Sequence, residues 1–130
     1  MRKEEMEKTM VFSIKNSRDE TVKAVLTTVY KALEEKGISA RVLDMHTIKP
    51  LDVEAVKACV EEIGKIVTVE DHNIFNGLGS AVCEVVAEMG KGKVKRVGIQ
   101  DQFGESAPYE RLLEKNGITV ENIVKVAQEL

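Results

Sequence analysis

The residues best suited to chemistry lie in one stretch, where Glu70, Asp71 and His72 follow a short β-branched run. A histidine beside a carboxylate is a candidate general base, because a neighbouring negative charge stabilises the imidazolium form. Consecutive side chains on an extended segment point to opposite faces, so at most one of the two acids faces His72. His46 ends the preceding predicted strand and approaches His72 in this interpretation, but two histidines do not define a metal site. Structural or interface roles for both histidines are therefore favoured over catalysis.

Gly77 and Gly79 open the helix that follows. Glycines at such a position let a backbone approach a phosphate at a helix N-terminus. Three features count against a dinucleotide site: Val82 occupies the third glycine position, the loop before the helix is long, and Glu70 and Asp71 place negative charge where a phosphate binds. The alternative is that the glycines let this helix, or the backbone of a partner, pack closely.

Aromatic residues also fall near this stretch, since Phe75 and Phe103 lie in predicted loops at the carboxyl ends of strands. Exposed aromatics on one edge are typical of a protein contact surface, although each ring has the alternative of folding back onto the core. Ser106 lacks the G-x-S-x-G context of a nucleophilic serine. We therefore predict a binding or docking edge without catalytic residues, formed by His46, Glu70, His72, Asn73, Phe75, Gly77, Gly79, Ser80 and Phe103.

Apolar periodicity places these candidates on alternating strands and helices. Strands are predicted at residues 9–14, 39–45, 66–69 and 94–100, with a helix after each and a short additional helix around residue 112. The first helix carries Val29, Tyr30 and Leu33 on its apolar side, and Asp52 and Thr119 open later helices. This order predicts parallel βαβ units with helices on both faces. We expect one three-layer α/β domain at residues 9–130, after a charged leader at residues 1–8.

Composition narrows the class of protein further. The chain has 130 residues, a net charge of −3 and no stripe of basic side chains, which argues against nucleic acid as a partner. No apolar run approaches the roughly 20 residues that cross a bilayer, and no signal peptide is recognised, so we expect a cytoplasmic protein without a membrane partner. Cys59 and Cys83 lie on apolar helix faces, where free thiols act as small hydrophobic residues.

Five segments, in order and at family-like spacing, resemble the C-terminal domain of transketolase. They are residues 37–52, 66–73, 77–82, 97–106 and 112–119. The resemblance covers residues 37–130 and extends to the β subunits of 2-oxoacid dehydrogenases and to deoxyxylulose phosphate synthase. The Phe103-Gly104-Glu105-Ser106 segment favours the transketolase branch. One departure is residues 15–20, which contain no glycine where the family has a glycine-containing turn, so the close approach made at that turn is not implied here.

The resemblance implies a mixed sheet of five strands, one of them an antiparallel edge strand. It also implies that thiamine diphosphate and magnesium are bound by two other domains, on the same enzyme or on a partner subunit, and not by this chain. Six residues match the family's most recognisable motif without a known catalytic duty: Glu70, His72, Asn73, Gly77, Gly79 and Ser80.

The function implied is assembly and homodimerisation of an enzyme that transfers two-carbon ketol units between sugar phosphates, with this chain inactive alone. Two alternatives stay open. One is a stand-alone module that binds a phosphorylated metabolite at the helix start between Gly77 and Ser80. The other is a domain of a 2-oxoacid dehydrogenase β subunit.

Overall fold

The computed structural model describes residues 8–13, 20–45, 50–99, 111 and 114–130. Strands and helices alternate along these ranges, and the elements are β1 (Lys8–Ser13), α1 (Glu20–Glu35), β2 (Ala40–Asp44), α2 (Val53–Glu62), β3 (Lys65–Asn73), α3 (Leu78–Met89), β4 (Lys93–Ile99) and α4 (Val120–Glu129). Residues 1–7 of the expected leader lie outside the described residues, while Lys8 already belongs to β1. Of the short helix expected around residue 112, Leu112 and Leu113 lie outside the described residues, and Arg111, Glu114 and Lys115 are helical. No helix in the described ranges combines the length and apolarity needed to cross a membrane.

The strands form one sheet in the order β2-β1-β3-β4. Each neighbouring pair runs parallel, with β1 and β3 in the centre. The parallel arrangement confirms the prediction from alternating strands and helices. The antiparallel edge strand that the resemblance implies is not found within the described part of the chain.

Helices cover both faces of the sheet and bury a separate apolar cluster on each. Alternate residues of β3 divide between the two clusters, because successive side chains of a strand point to opposite faces. Val67 and Val69 pack with α1 and α4, whereas Ile66 packs with α2 and α3. The three-layer architecture predicted from the sequence is therefore confirmed.

The ends of the helices follow local sequence signals. Asp52 accepts a hydrogen bond from the Ala55 amide at the start of α2, and Thr119 accepts one from the Asn122 amide at the start of α4. Gly37 follows α1 with a φ of 78°, a conformation that glycine adopts without strain. All three residues were expected at these positions.

Two sequence predictions need correction. Tyr30 was placed on the buried side of α1, but 43% of its surface is exposed, because Val29 and Leu33 define the buried stripe and Tyr30 lies beside it. β3 was expected to end near Val69, but it continues to Asn73. The pairing explains the extension: Val69 pairs with Val97 and Asn73 with Ile99, so β3 carries extra residues in a bulge.

Candidate functional site

The carboxyl edge of the sheet brings together most of the predicted site residues. Here β3 ends and α3 begins, next to the first turn of α2. An open groove of about 370 Å³ runs between Leu51 and Val53 on one side and Ser80, Ala81 and Val85 on the other. In a parallel α/β sheet, ligands and partners bind at this edge, beside the N-termini of the helices. The edge therefore has the location and the opening of a binding surface.

Glu70 is the central residue of this edge. Its side chain is buried, with 2% of its surface exposed. Oε1 accepts a hydrogen bond from the Leu78 amide at 2.8 Å, and Oε2 accepts one from the Gly79 amide at 2.7 Å. These two amides open α3, so the carboxylate complements the partial positive charge at the helix N-terminus. An external phosphate would have to displace Glu70, and the geometry therefore favours the packing interpretation over the phosphate site.

Gly79 is required by close packing. A Cβ atom at this position would lie 2.8 Å from Cδ and 2.9 Å from Cγ of Arg96, and 3.0 Å from Oε2 of Glu70. Real Cβ atoms do not approach other heavy atoms so closely without displacing them. The glycine thus serves contacts within this chain, as the alternative interpretation of the sequence proposed.

The loop at residues 74–77 is held by hydrogen bonds at several points. The Ile74 carbonyl accepts hydrogen bonds from Nη1 of Arg96 and from Oγ of Ser80, both at 3.0 Å. The Ile74 amide donates to the Ile99 carbonyl at the end of β4. The Asn76 amide donates to Oγ of Ser80 at 2.9 Å, and Asn76 has a φ of 63°, which asparagine tolerates better than most residues. The loop is preformed by these contacts.

Phe75 is the side chain that this loop displays. The residue is 48% exposed, and the guanidinium carbon of Arg96 lies 5.4 Å from the ring centroid, a cation–π distance. Among the described residues the exposed large hydrophobic side chains are Tyr30, Val53 and Phe75, and the last two lie at the carboxyl edge. Of the two alternatives that the sequence left open for Phe75, exposure at this edge or packing back onto the core, the structure shows exposure.

The remaining predicted site residues are placed as follows. His72 and Asn73 form the end of β3, while His46 and Phe103 lie outside the described residues. The approach of His46 to His72 therefore stays a prediction. In the described ranges, no three side chains of His, Cys, Asp or Glu lie close enough together to hold a metal ion.

Sequence reasoning missed Arg96, which contacts both the loop and Gly79. A signal was present, because alternation in β4 puts Arg96 on the same face as Val94, which packs against α2 and α3. A half-buried arginine on that face needs acceptors nearby. The Ile74 carbonyl is one of them.

Cys83 on α3 provides a pH-dependent prediction. Burial raises the pKa of the Cys83 thiol, and the positive charge of Arg96 opposes that effect more weakly. Because the thiolate is the reactive form, we expect alkylation by iodoacetamide to be slow at neutral pH and to keep rising past the pH at which the rate for a free cysteine, with a pKa of about 8.5, levels off. The measurement is the labelling rate against pH in a Cys59→Ala variant, where Cys83 is the remaining thiol. A rate that levels off below about pH 8 would contradict the raised pKa.

Comparison with known proteins gives consistent matches. The family described as "Transketolase, C-terminal domain" matches residues 21–123. An apulose-4-phosphate transketolase polypeptide of Phocaeicola vulgatus, one of the subunits of that enzyme, is 43% identical over 117 residues, covering 85% of this chain and 37% of the relative. A putative transketolase C-terminal section of Methanocaldococcus jannaschii is 46% identical over 98 residues, covering 75% and 30% respectively. This chain therefore spans about a third of the length of these relatives.

A solved structure shares the fold at high similarity. The chain described as "Split gene transketolase, inactive beta4 tetramer" superposes with a TM-score of 0.79 at 37% identity, covering 94% of this chain and 38% of that one. The similarity thus extends over nearly all of the present fold and over a minor part of the larger protein.

Proposed function

This chain belongs to the transketolase C-terminal domain family, and we propose that it provides the C-terminal domain of a thiamine diphosphate enzyme that transfers two-carbon ketol units between sugar phosphates. The relatives include a transketolase subunit, a transketolase C-terminal section and a split-gene transketolase, and they support an enzyme whose parts lie on separate polypeptides. The partner is then the subunit or region that carries the thiamine-binding domains.

In this proposal the domain contributes assembly, and thiamine diphosphate with its magnesium is held by the partner. Two observations on the described residues support this part of the proposal: acidic side chains form no three-ligand cluster there, and the Leu78 and Gly79 amides already bind Glu70. A diphosphate and a divalent cation need both kinds of group, free and in place.

The main support for the assembly role is that a preformed loop exposes the side chain of Phe75. A rigid loop loses little conformational entropy on binding, and a half-exposed aromatic ring gains buried apolar area. Val53 lines the groove, and Phe75 precedes the groove residue Asn76, so this edge presents two exposed apolar side chains. We define the docking edge as Val53, Phe75 and the groove between α2 and α3, and we propose that the partner docks there.

The proposal is tested by reconstitution. We expect the purified chain to show no ketol transfer and no calorimetric binding of thiamine diphosphate, and a mixture with the thiamine-binding partner to show both. Turnover by the pure chain would contradict the proposal, as would full activity of the partner without this chain. Light scattering of the mixture checks a further part of the proposal, that two copies of this domain are present in each assembled enzyme.

Phe75→Ala tests the docking edge directly. Loss of an anchoring aromatic ring costs about 1–2 kcal/mol of binding, so we expect the Kd for the partner to rise roughly tenfold. The free energy of unfolding should change little, because about half of the surface of Phe75 is already exposed. Tyr30→Ala is the matched control, since Tyr30 is similarly exposed but lies in the second half of α1, toward the opposite edge of the sheet. Equal weakening by both variants would place the interface elsewhere.

A further inference from the structure

The two helices that border the groove differ in how their acidic side chains are paired. Every acidic side chain of α2 forms an ion pair, and the pairs are Glu54 with Lys57, Glu61 with Lys91, and Glu62 with Arg41. The acids of α3 are Glu84 and Glu88, and neither forms an ion pair within the described part of the chain. α3 itself contains no lysine, arginine or histidine. The negative charge on the α3 side of the groove is therefore uncompensated.

Glu84 and Glu88 also occupy positions that are unfavourable in the isolated chain. They lie four residues apart on the exposed side of α3, where two like charges repel each other. Glu88 falls in the last turn, at the negative end of the helix dipole. Positive charge brought by another molecule would relieve both effects.

One face of α3 lines the groove. Its lining residues recur at intervals of three and one from the N-cap onward, and they are Gly77, Ser80, Ala81, Glu84 and Val85. Glu88 continues this face by one turn. The first three lining residues are small, so the backbone of a second element can approach closely. Val85, and Leu51 and Val53 on the opposite side, provide apolar contacts.

The shape and the charge of this face together specify what binds there. We propose that the groove binds an amphipathic helix of the thiamine-binding partner, whose apolar side chains contact Val53 and Val85 and whose lysine or arginine side chains pair with Glu84 and Glu88. A face that runs along a helix suits another helix, whereas an added strand needs an open sheet edge. The inference rests on the proposed function and specifies the partner's chemistry at the docking edge.

The test compares the double variant Glu84→Gln/Glu88→Gln with the parent chain. We expect its Kd for the thiamine-binding partner to rise about fivefold to tenfold in about 50 mM sodium chloride, and less than about twofold in about 500 mM, because salt screens exposed charges. The Tm of the isolated variant should rise by about 1–2 °C, since the repulsion between the two acids is removed.

The matched control is Glu34→Gln/Glu35→Gln. It removes two exposed acids from the end of α1, which packs on the other face of the sheet, and it should leave the Kd unchanged. Equal weakening by this control would overturn the inference, because the effect would then come from net charge and not from the groove.

Two further results would overturn the inference while the proposed function stands. One is a Glu84→Gln/Glu88→Gln variant that binds the partner at low salt as tightly as the parent chain, or more tightly. The other is a fall in the Tm of that variant, which would show that the two acids stabilise the fold. If the parent chain does not bind the thiamine-binding partner at all, the proposed function itself fails, and this inference fails with it.

Discussion

Replacing Glu70 with glutamine lowers the expected free energy of unfolding by about 2–4 kcal/mol, although the two side chains have nearly the same shape. Glutamine keeps one oxygen acceptor, but its amide group then faces one of the two backbone N–H groups that open α3. That buried donor loses its partner, which costs about 1–3 kcal/mol. Loss of the charge at the helix N-terminus adds about 0.3–2 kcal/mol.

Urea denaturation followed by circular dichroism measures this change. Glu84→Gln is the matched control, because Glu84 is an exposed acid on α3, the helix whose first amides Glu70 binds. We expect that control to stay within about 0.5 kcal/mol of the parent chain. If Glu70→Gln and Glu84→Gln lower the free energy of unfolding equally, the buried hydrogen bonds of Glu70 do not stabilise the fold beyond the contribution of an exposed acid.

The second large effect is expected at Gly79. Valine there should destabilise the chain by about 2–4 kcal/mol, because its Cβ atom overlaps the Arg96 stem and crowds Oε2 of Glu70. Moving Arg96 aside sacrifices its hydrogen bond to the Ile74 carbonyl and its contact with Phe75. The smaller Gly79→Ala change should also destabilise, even though alanine favours a helix by about 1 kcal/mol over glycine.

The helix-propensity term can be measured separately on α3. Ala87 is exposed near the end of this helix, so Ala87→Gly reports the intrinsic preference without a packing change. We expect Ala87→Gly to cost about 0.5–1 kcal/mol in urea denaturation. If Gly79→Ala instead stabilises by a similar amount, the close approach at Gly79 is not present in solution.

The sequence predicted the features of this fold that depend on neighbouring residues. Asp52, Thr119 and Gly37 mark helix ends because capping and left-handed conformations need residues only one to four positions away. The parallel sheet followed from alternation of strands and helices. Tyr30 was misplaced because Val29, Tyr30 and Leu33 together form a plausible apolar stripe, and only the packing of α1 decides which side faces inward.

The location of the candidate site was predictable from the sequence, but its hydrogen bonds and long-range contacts were not. Glu70, Gly77 and Gly79 were recognised as one cluster, and the negative charge near the glycines was read as an obstacle to phosphate. The structure shows that this charge is itself bound by the helix start. The bulge in β3 extends the strand through Glu70, and its register is set by pairing with β4, which no local pattern reveals. Arg96 comes from β4, seventeen positions after Gly79 and close to it only in the folded chain.

Arg96 contacts three positions that lie close together in the sequence but well before it, Ile74, Phe75 and Gly79. Its stem occupies the space above Gly79, its guanidinium donates to the Ile74 carbonyl, and the same group lies over Phe75. Among related chains, substitutions at positions 75, 79 and 96 should therefore occur together. A related chain with a larger residue at position 79 needs a shorter side chain at position 96. That chain then loses the cation–π contact with the aromatic residue at position 75. Covariation of the three columns is the evolutionary signature of this shared side chain.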